Sequence, residues 1–455
     1  MTFPSHLFAG RRFAVVGLGR NGLPAARTLR AMGAEVVTWD DKAPARAQAE
    51  AEGLAVREPD MAGLDALVLS PGIPHTLPAP HPLAARARAA GVPILSDADL
   101  LYQAVRASGS RARFAGITGT NGKSTTTALL AHILERTGRP VAAGGNLGTA
   151  ALALPRLDHD GVYVLEMSSY MLERLAALRF DIATMLNLSP DHLDRHGDMA
   201  GYARAKRSIF DRQTGADTAV VGIDDADGRA MAAALRAGPA RLMTISGEGP
   251  ADLGPEGSVL RDADGPIVDL ARARALPGSH NAQNAAAAAA MALSLGVTRT
   301  QVAEGILSYP GLPHRQERVA EAAGVVFVND SKATNADSAA RALGCYDRLI
   351  WIAGGMAKAG GIDSLVPFFP RIALALLIGR DAPVLAQTLA AHGVPHRDVG
   401  TLDAAVAAAW QEARAGTAPV VLLSPACASW DQFTGFDARG DRFRALAQAL
   451  AESSA

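Results

Sequence analysis

Short apolar runs alternate with stretches whose apolar positions recur every three to four residues. Phe13–Val16, Glu35–Trp39 and Ala66–Leu69 read as strands, with Gly22–Met32 as the helix between the first two and Gly33 placed to end it. The same rhythm returns from Phe114, with strands at Val162–Leu165 and Thr184–Leu188 and a helix at Gly201–Phe210. It returns again from Val325, with Leu349–Ala353, Ala373–Ile378 and Val420–Leu423. Strand–helix alternation of this kind predicts parallel sheets, here in three α/β units. Two stretches break the pattern: the Ser/Gly/Arg-rich Ala107–Arg113 and the turn at Tyr309–Pro313. Gly238–Ala275, rich in Gly, Asp and Pro, reads as a peripheral hairpin region. Asn281–Leu295 is Ala-rich and predicts a helix with Asn281 and Asn284 on one face of its first turn.

Composition narrows the class. A chain of 455 residues suggests about three domains at roughly 150 residues each. The 44 Lys+Arg and 45 Asp+Glu give a net charge of -1, which excludes a nucleic-acid binder working through overall positive charge. The two cysteines, Cys345 and Cys427, have no metal-type spacing and argue for a reducing compartment. No run approaches the ~18 apolar residues of a membrane span, so no membrane partner is expected. The apolar run after Arg12 reads as a first strand and not as a secretion signal, so the expected location is cytoplasmic.

Candidate chemistry sits in the loops after strands. Gly17-Leu-Gly19-Arg20-Asn21-Gly22 is a G-x-G-x-x-G between a strand and a helix. Its glycines allow a tight turn and close approach of a pyrophosphate to the helix N-terminus. Asp40 and Asp41 follow the next strand, where ribose contacts occur, and Ser70-Pro71-Gly72 ends another strand facing the same crevice. A nicotinamide cofactor and a UDP-sugar both satisfy this pattern. The second loop, Gly119-Thr120-Asn121-Gly122-Lys123-Ser124-Thr125, is more specific. Its backbone amides suit a phosphate chain, Lys123 supplies a point charge, and the Ser124 hydroxyl reaches a magnesium ion. It departs from the common phosphate loop, which has Gly where Ile117 stands. Glu166, at a strand end, is expected to face phosphate-bound metal. His192, with Asp191 and Asp194, forms a second metal-facing group; His196 reads as a hydrogen-bonding histidine. Lys206, by position alone, reads as a solvated lysine on a helix.

TGTNGKST, EMSS, SPDHLDRHG and NDSKATN together resemble the Mur ligases, and the resemblance extends from the first loop to the last helix. The longer phosphate loop is that family's own variant. GLGRNG, SPGIP, GLPHRQE and SPACASWDQFTGFDARG resemble the members that add D-glutamate. The resemblance implies three domains: a Rossmann-like one at 1–105 for the UDP-sugar, a central ATP-binding one at 106–310, and a Rossmann-like amino-acid-binding one at 311–455. It implies ATP, Mg²⁺ and a monomeric enzyme joining D-glutamate to UDP-N-acetylmuramoyl-L-alanine through an acyl phosphate. Lys206 then matches a lysine that carries a CO₂-derived carbamate and binds Mg²⁺ with Ser124, Glu166 and His192. Asn146 matches a substrate-contacting asparagine. Asn281 and Asn284 match residues near adenine and ribose, and Arg315 with Asp330 matches residues near ribose and phosphates. Lys332 and Thr334 are implied at the reacting centre, Lys358 on a glutamate carboxylate, and Ser429 and Phe436 at the other end of the amino acid. In this chain Ala359-Gly360-Gly361 stands where the family often has an acidic residue, and Trp430 replaces a common aliphatic residue. Trp430 and Cys427 are both expected to pack.

Overall fold

A computed structural model describes residues 1–146, 148–358 and 360–453. Ala359, part of the departure noted above, lies outside the described residues.

Three sheets form. The first contains β1 (Arg12–Val16), β2 (Glu35–Trp39), β3 (Ala55–Val56), β4 (Ala66–Leu69) and β5 (Ile94–Leu95). Its order is β3-β2-β1-β4-β5 and every pairing is parallel. The order reverses between β1 and β4, and ligands of such sheets settle at the reversal, beyond the strand C-termini. The loops that begin at Gly17 and Ser70 leave these two strands.

The second sheet contains β6 (Arg113–Thr118), β7 (Val141–Gly145), β8 (Val162–Glu166), β9 (Ile182–Met185), β10 (Thr218–Gly222), β11 (Arg241–Ile245), β12 (Leu253–Glu256), β13 (Val259–Asp262) and β14 (Gly265–Asp269). Its order is β14-β13-β12-β11-β10-β9-β6-β8-β7. β6, which leads into the phosphate loop, lies between β9 and β8. The expected hairpin region is an antiparallel β12-β13-β14 meander, but its first strand, β11, runs parallel to β10.

The third sheet contains β15 (Glu317–Ala322), β16 (Val325–Asn329), β17 (Leu349–Gly354), β18 (Ile372–Ile378), β19 (His396–Gly400) and β20 (Val420–Leu423). Its order is β15-β16-β20-β17-β18-β19, parallel except for the antiparallel edge strand β15.

Buried apolar runs explain these strands. All four residues of β4 are buried, as are all six of β17, because helices cover both faces of a parallel sheet. The strand expected at Thr184–Leu188 starts two residues earlier and ends three earlier, at Ile182–Met185. Leu186 and Asn187 leave the ladder to bond the phosphate loop, through Leu186 N to Thr118 O and Thr120 N to Asn187 O. The helix expected to reach Phe210 stops at Arg207. Two features lacked a clear signal: the edge strand β15 alternates weakly, and β3 and β5 are two residues long.

The chain divides into two compact units. One comprises Met1–Ala273 and Asn281–Tyr309, and so holds the first two sheets. The other comprises Arg274–His280 and the residues from Pro310 onward, with the third sheet.

Candidate active site

The phosphate loop turns at Gly119 and Gly122 between β6 and the helix Lys123–Glu135. Gly122 has φ +84, and a Cβ there would come within 2.1 Å of Asn284 Oδ1, so both backbone and space require glycine. Asn284 also accepts from Thr126 Oγ1 at 3.2 Å and donates to Asn281 Oδ1 at 3.0 Å. The expected shared face of the two asparagines is therefore real, and it braces the loop from behind. Further support comes from residues that the motifs did not single out. Asn187 accepts from Asn121 N at 2.9 Å and donates to Gln283 Oε1 at 2.8 Å, and Gln283 donates to Asp224 Oδ2 at 2.6 Å.

Two lysines meet at one carbonyl. Lys123 Nζ donates to Gly119 O and Thr120 O, each at 2.8 Å. Lys206 Nζ donates to the same Gly119 O at 2.8 Å and lies 4.6 Å from the Tyr202 ring centroid. Tyr202 is one helical turn before Lys206, and its hydroxyl lies 3.2 Å from Thr120 Oγ1. Periodicity along that helix was the available signal for Tyr202. Lys206 is only 2% exposed, which corrects the solvated position read from the sequence. Burial drives its pKa well below the usual lysine value, and Lys123 lowers it further, against Asp191 and Glu166. An unprotonated amine fits this crowded position, since two ammonium groups on one carbonyl repel.

Glu166, buried at the end of β8, accepts from Asn146 Nδ2 at 2.9 Å through Oε1. Asn146, expected to contact substrate, thus also orients this carboxylate. The other oxygen, Oε2, is buried without a hydrogen-bond partner. Ser124, also buried, begins the adjacent helix behind Lys123. Among the described residues no group of three His, Cys, Asp or Glu side chains is arranged to hold a metal by itself. An orphan carboxylate oxygen and a hydroxyl beside a phosphate loop fit Mg²⁺, which takes one or two protein oxygens and completes its shell with phosphate and water.

His192 is exposed, in a left-handed turn with φ +53, its Nε2 3.4 Å from Asp191 Oδ2. Burial lowers its pKa despite Asp191, with Lys206 adding in the same direction. His196 is the buried one, 3.1 Å from Glu173 Oε1 and 2.9 Å from Ser169 Oγ, as expected of a hydrogen-bonding histidine.

The first loop has a different construction. Gly17 has φ +87, and a Cβ at Gly22 would fall 1.8 Å from Gly17 O, so these two glycines shape the turn. At Gly19 a Cβ would meet nothing within 4 Å, so this position faces open space. Asp40 accepts from Leu18 N at 2.7 Å and Lys42 N at 2.9 Å, which assigns the carboxylate to holding the loop. Ser70 Oγ donates to Gly17 O at 2.6 Å and joins the two crevice loops directly. Asn21 precedes the helix Gly22–Ala31, and Arg20 Nη2 donates to Gly148 O at 3.3 Å. Pro71 and Gly72 complete the turn after β4.

The second unit gathers its candidates at the C-terminal ends of β16, β20 and β17, three neighbouring strands. Asp330 follows β16, accepts from Ser424 Oγ at 2.7 Å and from Gln316 N at 3.2 Å, and is pushed by burial up to about 7, with Arg315 opposing. Lys332 Nζ stands 4.1 Å over the Phe436 ring, so these two predicted residues do meet. Thr334 N donates to Lys332 O at 2.9 Å. Lys358 is exposed beyond β17, while Ser429 is buried. Cys427 is packed as expected, with burial pushing its thiol up to about 12. Trp430 is not packed: it is 67% exposed, which overturns the expectation. Arg439, inside SPACASWDQFTGFDARG but given no role from the sequence, is buried and donates to Ser331 O at 2.9 Å and Cys427 O at 3.2 Å, tying the loops after β16 and β20.

Comparison with known proteins adds to this geometry. Residues 117–292 match the Mur ligase middle domain, and residues 314–427 match the Mur ligase glutamate ligase domain. The UDP-N-acetylmuramoylalanine–D-glutamate ligase of Paramagnetospirillum magneticum is 52% identical over 99% of both chains. That of Phenylobacterium zucineum is 47% identical over 98% of both. Among solved structures, the UDP-N-acetylmuramate–alanine ligase MurC of Thermotoga maritima aligns with a TM-score of 0.60 and 17% identity, over 97% of this chain and 99% of that one. MurF of Acinetobacter baumannii aligns with a TM-score of 0.61 and 19% identity, over 99% of this chain and 93% of that one. At such identities these two similarities speak for the fold.

Proposed function

The chain belongs to the Mur ligase family, and from that premise we propose that it joins D-glutamate to UDP-N-acetylmuramoyl-L-alanine with cleavage of ATP, a ligation in peptidoglycan precursor synthesis. The observation that carries this reading is the convergence of Lys123 and buried Lys206 on Gly119 O, with Glu166 close enough to act on Lys206 electrostatically. A dehydrogenase built on the first loop alone has no use for that arrangement.

A carboxylate is a poor acyl donor, because oxide is a poor leaving group. The L-alanyl carboxylate oxygen attacks the γ-phosphorus of ATP, and ADP leaves. The D-glutamate amine attacks the resulting acyl phosphate, phosphate departs, and the amine proton is lost. Negative charge concentrates on the transferring phosphoryl group, so positioned cations and amides do most of the work. The Gly119–Gly122 amides and Lys123 cradle the phosphates at a helix N-terminus. Magnesium, when bound, would supply further positive charge to the phosphate chain, and Ser124, Glu166 and a carbamylated Lys206 would hold it. The carbamate forms when the Lys206 amine adds to CO₂ and releases a proton; its remaining N–H can keep the bond to Gly119 O. His192 is assigned to the same metal and to the substrate. Gly17, Gly19 and Ser70–Gly72 are assigned to the nucleotide diphosphate. Lys332, Thr334, Lys358, Ser429 and Phe436 are assigned to the amino acid. With this activity go cell-wall growth, cell shape and division, in the cytoplasm.

Phosphate release from ATP in the presence of UDP-N-acetylmuramoyl-L-alanine, compared across D-glutamate, L-glutamate and other amino acids, tests the reading. Release should depend on D-glutamate. Equal rates with all amino acids would defeat it.

Two substitutions separate the assigned pockets. Gly19→Val should leave the fold intact, since an added Cβ meets no protein atom within 4 Å, yet it places bulk where the pyrophosphate is proposed to approach. Calorimetry should show nucleotide-sugar binding weakened by at least about tenfold with ATP binding unchanged; equal losses would refute the division. Lys358→Ala should raise the KM for glutamate about ten- to a hundredfold, the worth of a hydrogen bond to a charged group. The KM for the nucleotide sugar should stay the same. An unaltered glutamate dependence removes Lys358 from the pocket.

A further inference from the structure

The turn after β4, from Ser70 to Pro74, carries no ionisable side chain, yet arginines hold its backbone. Arg174 Nη1 donates to Leu69 O at 2.8 Å and to Ser70 O at 3.1 Å, and its Nη2 donates to Ile73 O at 2.6 Å. Its Nε lies 3.3 Å from His75 Nδ1. Arg195 Nη1 donates to Gly72 O at 3.1 Å, and Arg88 Nη2 to His75 O at 2.6 Å. Five carbonyls of one short segment therefore point at guanidinium groups, and the peptide planes that carry them are set accordingly. Arg174 dominates this arrangement. It is 2% exposed, and burial lowers its pKa to about 10, which leaves it charged at neutral pH. Only a planar fork of five donors can serve three carbonyls and an imidazole together.

The position of Arg174 in the chain gives the arrangement its meaning. It follows the segment that leaves β8 at Glu166, through the short helix Ser169–Leu172. Its neighbour Glu173 bonds His196, whose other ring nitrogen bonds Ser169. His196 ends the short helix that His192 opens. The carbonyl of Arg174 accepts from Ser96 N at 2.9 Å, and Asp99 Oδ1 accepts from Ala176, Ala177 and Leu178 N at 2.8–2.9 Å. Glu173 and Arg174 thus sit where the loops bearing Glu166 and His192 meet the turn Ser70–Gly72. Arg174 itself lies outside EMSS and SPDHLDRHG, whereas Arg195 and the turn they both hold lie within SPDHLDRHG and SPGIP.

We infer that Arg174 is a positioning residue for the nucleotide sugar: it locks the Ser70–Gly72 turn to the loops after β8 and β9, so that a nucleotide diphosphate bound at the first sheet presents its acyl end to the phosphate site in one place. The inference rests on the proposed function, in which this turn meets the nucleotide sugar. A group that only glues the unit together would weaken every ligand and lower Tm alike. A positioning residue selects among ligands.

The test compares wild type, Arg174→Gln, Arg174→Lys and Arg195→Gln by steady-state kinetics, by calorimetry with UDP-N-acetylmuramoyl-L-alanine and with ATP separately, and by thermal unfolding. Arg174→Gln should raise the KM for the nucleotide sugar about ten- to a hundredfold while ATP affinity stays within about twofold. Arg174→Lys, a point charge reaching fewer carbonyls, should fall between it and wild type. Arg195→Gln, which removes one outer bond, should shift the same KM in the same direction by less. A folded Arg174→Gln with an unchanged nucleotide-sugar KM, or with equal losses for both ligands, overturns the inference. If Arg174→Gln does not fold, Arg195→Gln decides: a raised nucleotide-sugar KM supports the inference and an unchanged one overturns it. Failure of the wild-type protein to bind the nucleotide sugar would instead defeat the proposed function on which the inference rests.

Discussion

Lys123→Ala is expected to reduce turnover by about a hundred- to a thousandfold while the protein stays folded. Lys123 opens the helix that follows the phosphate loop, and its ammonium is folded back on Gly119 O and Thr120 O. Under the proposed function, the same ammonium would face the transferring phosphoryl group. Charge develops there in the transition state, and removing one preorganised stabilising group from such a site costs about 3–4 kcal/mol. The fold has less to lose. Lys123 is only half-buried, and alanine is a strong helix former. Phosphate release measured beside circular dichroism and thermal unfolding checks both halves. A folded variant turning over near the wild-type rate would sink the assignment of this loop.

Lys206→Ala is expected to be nearly inactive, and short carboxylic acids should restore part of the activity. The prediction follows from where the side chain lies. Lys206 Nζ is buried, bonded to Gly119 O and near enough to Lys123 to feel its charge. A second ammonium there would compete with the metal for the same region. A neutral amine adds to CO₂, and the carbamate brings an anionic oxygen, a donor suited to a hard divalent ion. Truncation to alanine leaves space in which acetate or propionate can place a carboxylate. Lys206→Arg should be as poor as Lys206→Ala and should not respond to acids, since it keeps a positive charge and fills the space. Full activity of Lys206→Ala without added acid would return Lys206 to a purely structural role. So would a bare amine in the electron density of an active, magnesium-loaded complex.

Much of the architecture was readable from local pattern. β2, β4 and β20 fall where their apolar runs predict, because a strand in a parallel sheet must be apolar on the faces that helices cover. The two glycine-containing loops were readable for a related reason: a tight turn between strand and helix places steric demands on a few consecutive residues. Where pairing partners compete, pattern loses its force. The apolar residues Leu186 and Leu188 read as strand, but the backbone from Leu186 onward is drawn to the phosphate loop.

By itself the sequence determined the number of α/β units, the position of both phosphate-type loops and the family resemblance that names a substrate class, since each is encoded in residues close together along the chain. The tertiary structure alone decided what the individual polar groups do. Lys206 is a buried amine and not a surface cation because the helix Met199–Arg207 is packed so that its side chain reaches Gly119, 87 residues earlier. Asp40 holds the loop of Gly17–Gly22 from the end of a neighbouring strand, and Trp430 is exposed although its apolar ring suggests packing. Arg174 belongs to no motif, and its role exists only because two distant loops meet at its guanidinium. Burial and charge proximity are properties of chain crossings, and no periodicity within one segment records them.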